Sequence, residues 1–255
     1  MHVVCIGTGT AVPDPAHVGA GFWVEAGAAR VLLDCGPGVV HGLAGQDLPW
    51  QTLTHLALSH FHTDHVGDVA YLLFALRWGT LPPRSTPLTV AGPRGTKAWL
   101  ERLGAAFGES VKQPDYGLEV VELGEAGALE LPGGARLRSC VTPHTKASLG
   151  FRIEAGGSAL GYTSDTGESD DVARFMRGVD LLVAECSLPD TAAMDSHLTP
   201  ARLARMARVA APGRLVVTHV YPQLERAAVP QLVRDGGYEG RVELGEDGAC
   251  YDAGS

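Results

Sequence analysis

Four side chains able to bind a metal fall within six consecutive positions, His60-Phe61-His62-Thr63-Asp64-His65, in a chain whose ten histidines are spread over 255 residues. The apolar run His55-Leu56-Ala57-Leu58 precedes them, and its length and flanking turn-formers predict a buried strand. His60 and His62 stand two apart, so in extended chain both side chains leave the strand end on one face. Asp64 and His65 follow where the chain must turn into an apolar segment of helical spacing, residues 66–76. One tight loop thereby offers two imidazoles to one metal ion, and a carboxylate with an imidazole to a second. Imidazole and carboxylate without thiolate suit zinc or another divalent first-row metal in a catalytic site. A solvated histidine-rich loop is the competing reading, and it leaves the strand-exit pairing unexplained.

The string His60-x-His62-x-Asp64-His65 resembles the signature of metallo-β-lactamase fold hydrolases. A resemblance of this kind requires further ligands, each at a strand end. Three stand in such positions: His144 after residues 136–141, Asp165 after Tyr162-Thr163-Ser164, and His219 after residues 215–218. Their order is similar to the later motifs of that family. Carried over residue by residue, it implies two divalent metal ions, zinc with manganese as the alternative. His60, His62 and His144 would hold one, Asp64, His65 and His219 the other, and Asp165 would bridge both. Asp34 is implied as a brace for the metal loop rather than a ligand, with turn formation in Asp34-Cys35-Gly36-Pro37-Gly38 as the plainer reading. His2, His17, His41 and His55 match no motif, and His17 is expected on the surface.

A second pairing bears on the branch of the family. Glu185 follows an apolar strand at residues 181–184, and His197 stands just before a helix opened by Thr199-Pro200. The pair resembles the ribonuclease Z branch, where a glutamate orients a histidine that is not a metal ligand. A protonated histidine held by a carboxylate can act as general acid toward an alkoxide leaving group. The catalytic set implied is thus Asp64, His197 and Glu185. Two metals about 3.5–4 Å apart would bind the phosphodiester and lower the pKa of a bridging water to about neutral. Metal-bound hydroxide would attack phosphorus in line, Asp64 would orient it, and Arg94 with the metals would offset the added charge while His197 protonates the leaving oxygen.

The function expected is a phosphodiesterase acting on a small or cyclic, nucleotide-like phosphodiester. Members that mature tRNA carry a long flexible arm between the third-motif histidine and the bridging aspartate, whereas 21 positions separate His144 from Asp165. The turn after Asp34 reads Gly36-Pro37-Gly38-Val39, where those members tend to read Gly-Glu-Gly-Thr. The cyclic phosphodiesterase of phosphonate breakdown is another arm-less relative, but its cysteine-rich zinc site has no counterpart here. A tRNA 3′-processing endoribonuclease lacking the arm and a lactonase or other acyl hydrolase are the alternatives, and the Glu185/His197 pair is unexplained in the latter. A sensor with a degenerate site fits poorly, since the ligand set is intact.

The elements that must position these residues are legible as alternating strands and helices. A hairpin is expected over residues 21–25 and 30–34, then strands at 87–91, 118–123, 136–141, 150–154, 159–162, 181–184 and 214–218. Helices are expected at 97–107, 170–176, 199–211 and 224–234, and the 71–79 segment reads as a buried or interface helix, with Trp78 and the Pro82-Pro83 loop expected to pack, an overhang of the metal site being the alternative. The fold class is α/β, a four-layer αββα sandwich, as one domain over residues 1–255. The opening loop, Thr8-Gly9-Thr10-Ala11-Val12-Pro13, lacks the G-x-G-x-x-G order of a phosphate cradle, but in the family it borders the active site. The loop Gly92-Pro93-Arg94-Gly95-Thr96 opens a helix and could hold a phosphate through its amides and Arg94.

Composition narrows the partners. Net charge is −9, which argues against a broad footprint for nucleic acid, so nucleic acid is not the favoured partner. No membrane-length apolar run or signal-like leader occurs, and the five cysteines lack C-x-x-C spacing, so a cytoplasmic protein with reduced thiols is expected. Family analogy adds a homodimer through the 71–78 segment.

Overall fold

The computed structural model describes residues 1–112 and 114–254. Two seven-stranded sheets form. The first runs, in spatial order, β14 (Cys250–Asp252), β1 (His2–Gly7), β2 (Gly21–Ala26), β3 (Ala29–Leu33), β4 (His55–Ala57), β5 (Leu88–Pro93) and β6 (Leu118–Leu123). The second runs β13 (Val242–Leu244), β12 (Arg214–Thr218), β11 (Leu181–Glu185), β10 (Ser158–Tyr162), β9 (Leu149–Ala155), β8 (Arg136–Val141) and β7 (Ala128–Glu130). In both, hairpin-joined antiparallel strands lead into parallel ones: β3, β4, β5 and β6 in the first sheet, β10 to β13 in the second.

The period of two along each strand builds three apolar layers. Val3, Cys5, Phe22, Val24, Val31 and Leu33 point inward and meet Phe151, Ile153, Leu160 and Val183 of the other sheet. Their neighbours Val4, Ile6, Trp23 and Leu32 point the other way, against helices α1 (Val39–Gly45) and α3 (Val69–Trp78). On the far side, Leu182, Ala184, Leu215 and Val217 pack under α6 (Asp170–Phe175), α7 (Pro200–Ala210) and α8 (Val229–Asp235). Strands buried on both faces read as continuous apolar runs, which is why β11 and β12 were visible in the sequence. The four-layer sandwich expected from the sequence is the architecture observed.

Several boundaries differ for physical reasons. The predicted helix at 66–76 is split into α2 (Thr63–Val66) and α3 by Asp68, whose Oδ2 accepts from Gly38 N–H at 2.9 Å and Val40 N–H at 3.1 Å. That carboxylate caps the start of α1, and the Asp68 N–H goes to Cys35 O at 3.0 Å rather than to a carbonyl one turn back, which breaks the helical ladder there. The last helix starts at Val229, with Pro230 in its first turn where a missing N–H costs nothing, after a 3₁₀ turn at Arg226–Ala228. α4 (Thr96–Phe107) and the short α5 (Glu109–Lys112) complete the cover of the first sheet. The three-residue strands β7, β13 and β14 and helix α1 are too short or too weakly patterned to be read from the sequence. Among the described residues no helix is long and apolar enough to cross a membrane.

Candidate metal centre and its cleft

The loops leaving β4, β8, β10 and β12 converge at one edge of the sandwich, and seven side chains meet there. Asp165, after β10, stands at the centre with almost no exposure. Its Oδ1 lies 3.3 Å from His65 Nε2 and 3.5 Å from His219 Nε2. Its Oδ2 lies 3.5 Å from His144 Nε2 and 3.9 Å from His60 Nε2. Asp64 Oδ2 approaches His219 Nε2 at 3.4 Å and His65 Nε2 at 3.9 Å. His62 Nδ1 and His144 Nε2 are 3.1 Å apart. The potential ligand atoms of His60, His62, His144 and Asp165 lie within 4.8 Å of one another, as do those of Asp64, His65 and His219. The two oxygens of Asp165 thus face the two groups separately.

This set fits a pair of cations. His60 Nε2, His65 Nε2 and Asp165 Oδ1 are buried polar atoms without a hydrogen-bond partner, and all three aim into the cluster. Buried polar atoms are rarely left so unless an ion or water completes them. The outer nitrogens are already oriented: His65 Nδ1 to Asp34 Oδ2 at 2.8 Å, His60 Nδ1 to Ser59 Oγ at 3.0 Å, His144 Nδ1 donating to Ser196 O at 3.0 Å, and His219 Nδ1 to Ser187 Oγ at 3.0 Å. Fixing one ring nitrogen in this way turns the other inward as a lone pair, as metal sites require. Electrostatics agree. Burial, with the neighbouring imidazoles, pushes His60 down to about 2, so it is held neutral. Burial also opposes charge on His65, but the Asp165 and Asp34 carboxylates outweigh it and hold the ring well above its usual range. Asp165, though buried, is held well below the carboxylate range by His219 and His65. The Asp165 and Asp34 carboxylates draw a positive charge onto the His65 ring, and a divalent cation bound between Asp165 and His65 would take the place of that proton.

Asp34 braces this loop. It sits in the left-handed region at φ 58° and accepts from Ser59 N–H and Oγ–H at 2.7 Å each and from Tyr162 Oη–H at 2.7 Å, besides holding His65. The sequence pointed to Asp34; Ser59 and Tyr162 carried no signal, because their roles depend on contacts across the two sheets.

Glu185 and His197 meet as expected, with Oε1 3.0 Å from Nδ1. The buried carboxylate also accepts from Thr166 N–H at 2.7 Å, Leu198 N–H at 3.2 Å and the Ser187 hydroxyl, so it is rigidly held. Burial opposes charge on His197, but the Glu185 hydrogen bond and charge win and raise its pKa. Its ring lies 4.8 Å from that of His144 and 6.0 Å from that of His219, centroid to centroid. Spacing alone also groups His197 with Asp165 and His219.

A cleft of about 810 Å³ opens over these side chains, walled by residues of the 10–18 loop together with Phe61, His62, Asp64, His144, His197 and Tyr221. His17 belongs to this wall rather than to the open surface expected: Asp14 and Glu246 hold it at 3.3 and 2.9 Å. The phosphate site expected at the start of α4 is filled by the protein itself. Glu122 Oε1 accepts from both Gly95 N–H and Lys97 N–H at 3.0 Å, so a carboxylate of the protein already occupies the place an anion would take. Arg94 lines a separate depression with Lys146, not the cleft, so it is not placed to offset charge at phosphorus. Trp78, at the end of α3, is outside the cleft lining too. His2, His41 and His55 take no part; His55 is buried beside Thr54 at the strand start. Cys186 is fully buried, and burial first of all raises its thiol far above the usual range, as befits a core filler.

A family model described as the Beta-lactamase superfamily domain matches residues 29–220. Ribonuclease Z of Mycolicibacterium paratuberculosis is 30% identical over 275 residues, covering 97% of this chain and 96% of that protein. Among solved structures, the metallo-beta-lactamase fold protein YhfI of Bacillus subtilis superposes with a TM-score of 0.85 at 23% identity, covering 98% of both chains. Human tRNase Z, short form, superposes at 0.81 with 22% identity over 99% of each. The chain belongs to the beta-lactamase superfamily, as a metal-dependent hydrolase related to ribonuclease Z.

Proposed function

We propose that this hydrolase is a phosphodiesterase, acting on small or cyclic, nucleotide-like phosphodiesters. The observation that carries the reading is the Glu185–His197 pair, 3.0 Å apart and opening on the cleft beside the metal-binding side chains. An acyl hydrolase has no use for a second, non-ligand acid at that place, whereas an alkoxide leaving from phosphorus does. His60, His62 and His144 would hold one divalent ion, Asp64, His65 and His219 the other, and Asp165 both. When bound, such ions supply Lewis acidity toward the phosphoryl oxygens and acidify the attacking water. The remaining work belongs to the chain. Asp64, through the oxygen not turned to His219, orients the attacking water; Glu185 fixes the His197 ring; His197 delivers its proton to the leaving oxygen. Arg94, in a separate depression, takes no part.

The kinship with ribonuclease Z supports a second reading, processing of tRNA 3′ ends without the long arm. Both readings predict phosphodiester cleavage, and a lactonase does not. Purified protein of known metal content, assayed on bis(4-nitrophenyl) phosphate beside a lactone and a β-lactam, separates them. Chelator-sensitive cleavage of the diester is expected; cleavage of the lactone alone would remove the role given to His197.

On α3, Tyr71, Phe74 and Trp78 lie at helical spacing and are 57%, 49% and 61% exposed. With the family resemblance, this face supports a homodimer, for which light scattering is expected to give twice the chain mass; a monomer at all concentrations ends the idea. Reduced thiols and the absence of a membrane-length helix among the described residues fit the cytoplasm as the proposed location.

A further inference from the structure

The phosphodiester reading leaves the organic half of the substrate unspecified, and the cleft itself bears on it. Twenty lysines and arginines are present in the chain, yet among the described residues none lines the cleft. The loop at residues 10–18 contributes Ala11, Val12, Pro13 and Val18 as apolar surface, and Asp14 and His17 as its titratable groups. The His17 ring is engaged on both sides by carboxylates, Asp14 at 3.3 Å and Glu246 at 2.9 Å, while Arg226, outside the lining, is held by Glu246 at 3.5 Å and donates to Gly245 O and Thr8 Oγ1. Two further surfaces are flat and aromatic. Phe61 stacks on Trp99 with centroids 5.4 Å apart and planes 13° from parallel. Tyr221 stands 5.5 Å from the His219 ring and 6.2 Å from the His197 ring, centroid to centroid.

The loop is also held in place from the far end of the chain. Asp247 Oδ1 accepts from Thr8 N–H at 2.9 Å and Thr8 Oγ1–H at 2.8 Å, while its Oδ2 accepts from Val18 N–H at 2.8 Å. One carboxylate therefore closes both ends of the loop. Thr8 O in turn accepts from His219 N–H at 3.0 Å, which links the clamp to a residue of the metal cluster. Both the loop and Asp247 lie outside residues 29–220, the part matched by the family model.

We propose that the 10–18 loop, clamped by Asp247, is the specificity wall of this enzyme, and that it selects a phosphodiester with one phosphate and an uncharged, flat organic arm over esters carrying further phosphates. The inference rests on the phosphodiester reading. A neighbouring phosphate would meet Asp14 with no lysine or arginine among the described residues of the cleft lining to neutralise it, Arg226 being already taken by Glu246 at 3.5 Å, and like charges held close in a partly desolvated cleft repel. Nucleic-acid binders, by contrast, draw most of their affinity from lysine and arginine at successive phosphates. An uncharged base or phenyl ring instead finds Val12, Pro13, Phe61 and Tyr221, whose faces suit stacking. Asp247 is a positioning residue here, since it touches the loop and not the substrate.

The test compares thymidine 5′-(4-nitrophenyl phosphate) with the same ester bearing an added 3′-phosphate. The single-phosphate ester should show kcat/KM at least about tenfold higher, and Asp14→Lys, at an exposed position, should narrow that gap by about fivefold or more. Asp247→Ala should raise KM for the thymidine ester while metal content stays unchanged, and Asp247→Asn should recover part of the loss. Equal or reversed preference between the two esters overturns the wall while leaving the phosphodiester reading intact. Cleavage of neither ester by metal-loaded protein overturns both.

Discussion

Asp165→Ala is expected to leave the protein with less than half its metal and to lower turnover of a phosphodiester by at least about 10³-fold, more than loss of a single charge-stabilising donor. The expectation follows from where its oxygens point. Oδ1 is shared by His65 and His219, Oδ2 by His144 and His60, and among the described residues no other carboxylate pairs with both groups. Without it, imidazoles converge on a space that has lost its bridging anion, and two cations placed there would repel each other unscreened. His62→Ala is the useful contrast. His62 is exposed and belongs to one group only, so its loss should weaken one ion and spare the other. Elemental analysis reads the difference directly. A thermal melt with and without chelator reads it independently, because an ion bound only by the folded chain stabilises it. The wild type should lose midpoint on chelation, and Asp165→Ala should not respond. Two tightly held metals in Asp165→Ala would refute the bridging role.

The sequence disclosed the donors of this centre more completely than it disclosed the support around them. His60, His62, Asp64 and His65 are dense in one loop, and His144, Asp165 and His219 each follow a recognisable strand, so type and position coincide. Glu185 and His197 were legible for the same reason, one at a strand end and one at a helix entry. What stayed hidden depends on long-range contact. Tyr162 reaches Asp34 across 128 positions, and Asp247 reaches Thr8 across 239. No local pattern marks an aspartate in a terminal turn as the clamp of an opening loop. The misread of the 92–96 loop is instructive in the opposite direction. A glycine-proline loop with an arginine before a helix has the donors for a phosphate, but Glu122, from a neighbouring strand, already takes them. Local chemistry states what a segment could bind; only the packing decides whether the place is free. The fold was read well where strands are buried on both faces and poorly where they are three residues long at a sheet edge, since edge strands bury too little to show a pattern.

His197→Ala should separate leaving-group chemistry from everything else the centre does. If His197 gives its proton to the departing oxygen, the loss must grow with the basicity of that oxygen. A 4-nitrophenolate hardly needs a proton to leave, so turnover of bis(4-nitrophenyl) phosphate should fall only a few-fold, whereas an ester with an alkoxide leaving group should fall by about 10²–10⁴-fold, the usual worth of a placed general acid. Glu185→Gln should follow the same trend at smaller amplitude. Its Oε1 would still accept from His197 Nδ1, but the negative charge that raises the His197 pKa would be gone. Glu185→Ala is a poorer probe, because that carboxylate also holds Thr166, Ser187 and Leu198, and through Ser187 the ring of His219. Metal content is the control that makes the result decisive. His197→Ala with full metal and a leaving-group-dependent loss establishes the acid. The same loss on both esters, or a fall in metal content, would mean that His197 serves the metal centre instead, a role its approach to Asp165 and His219 makes worth testing.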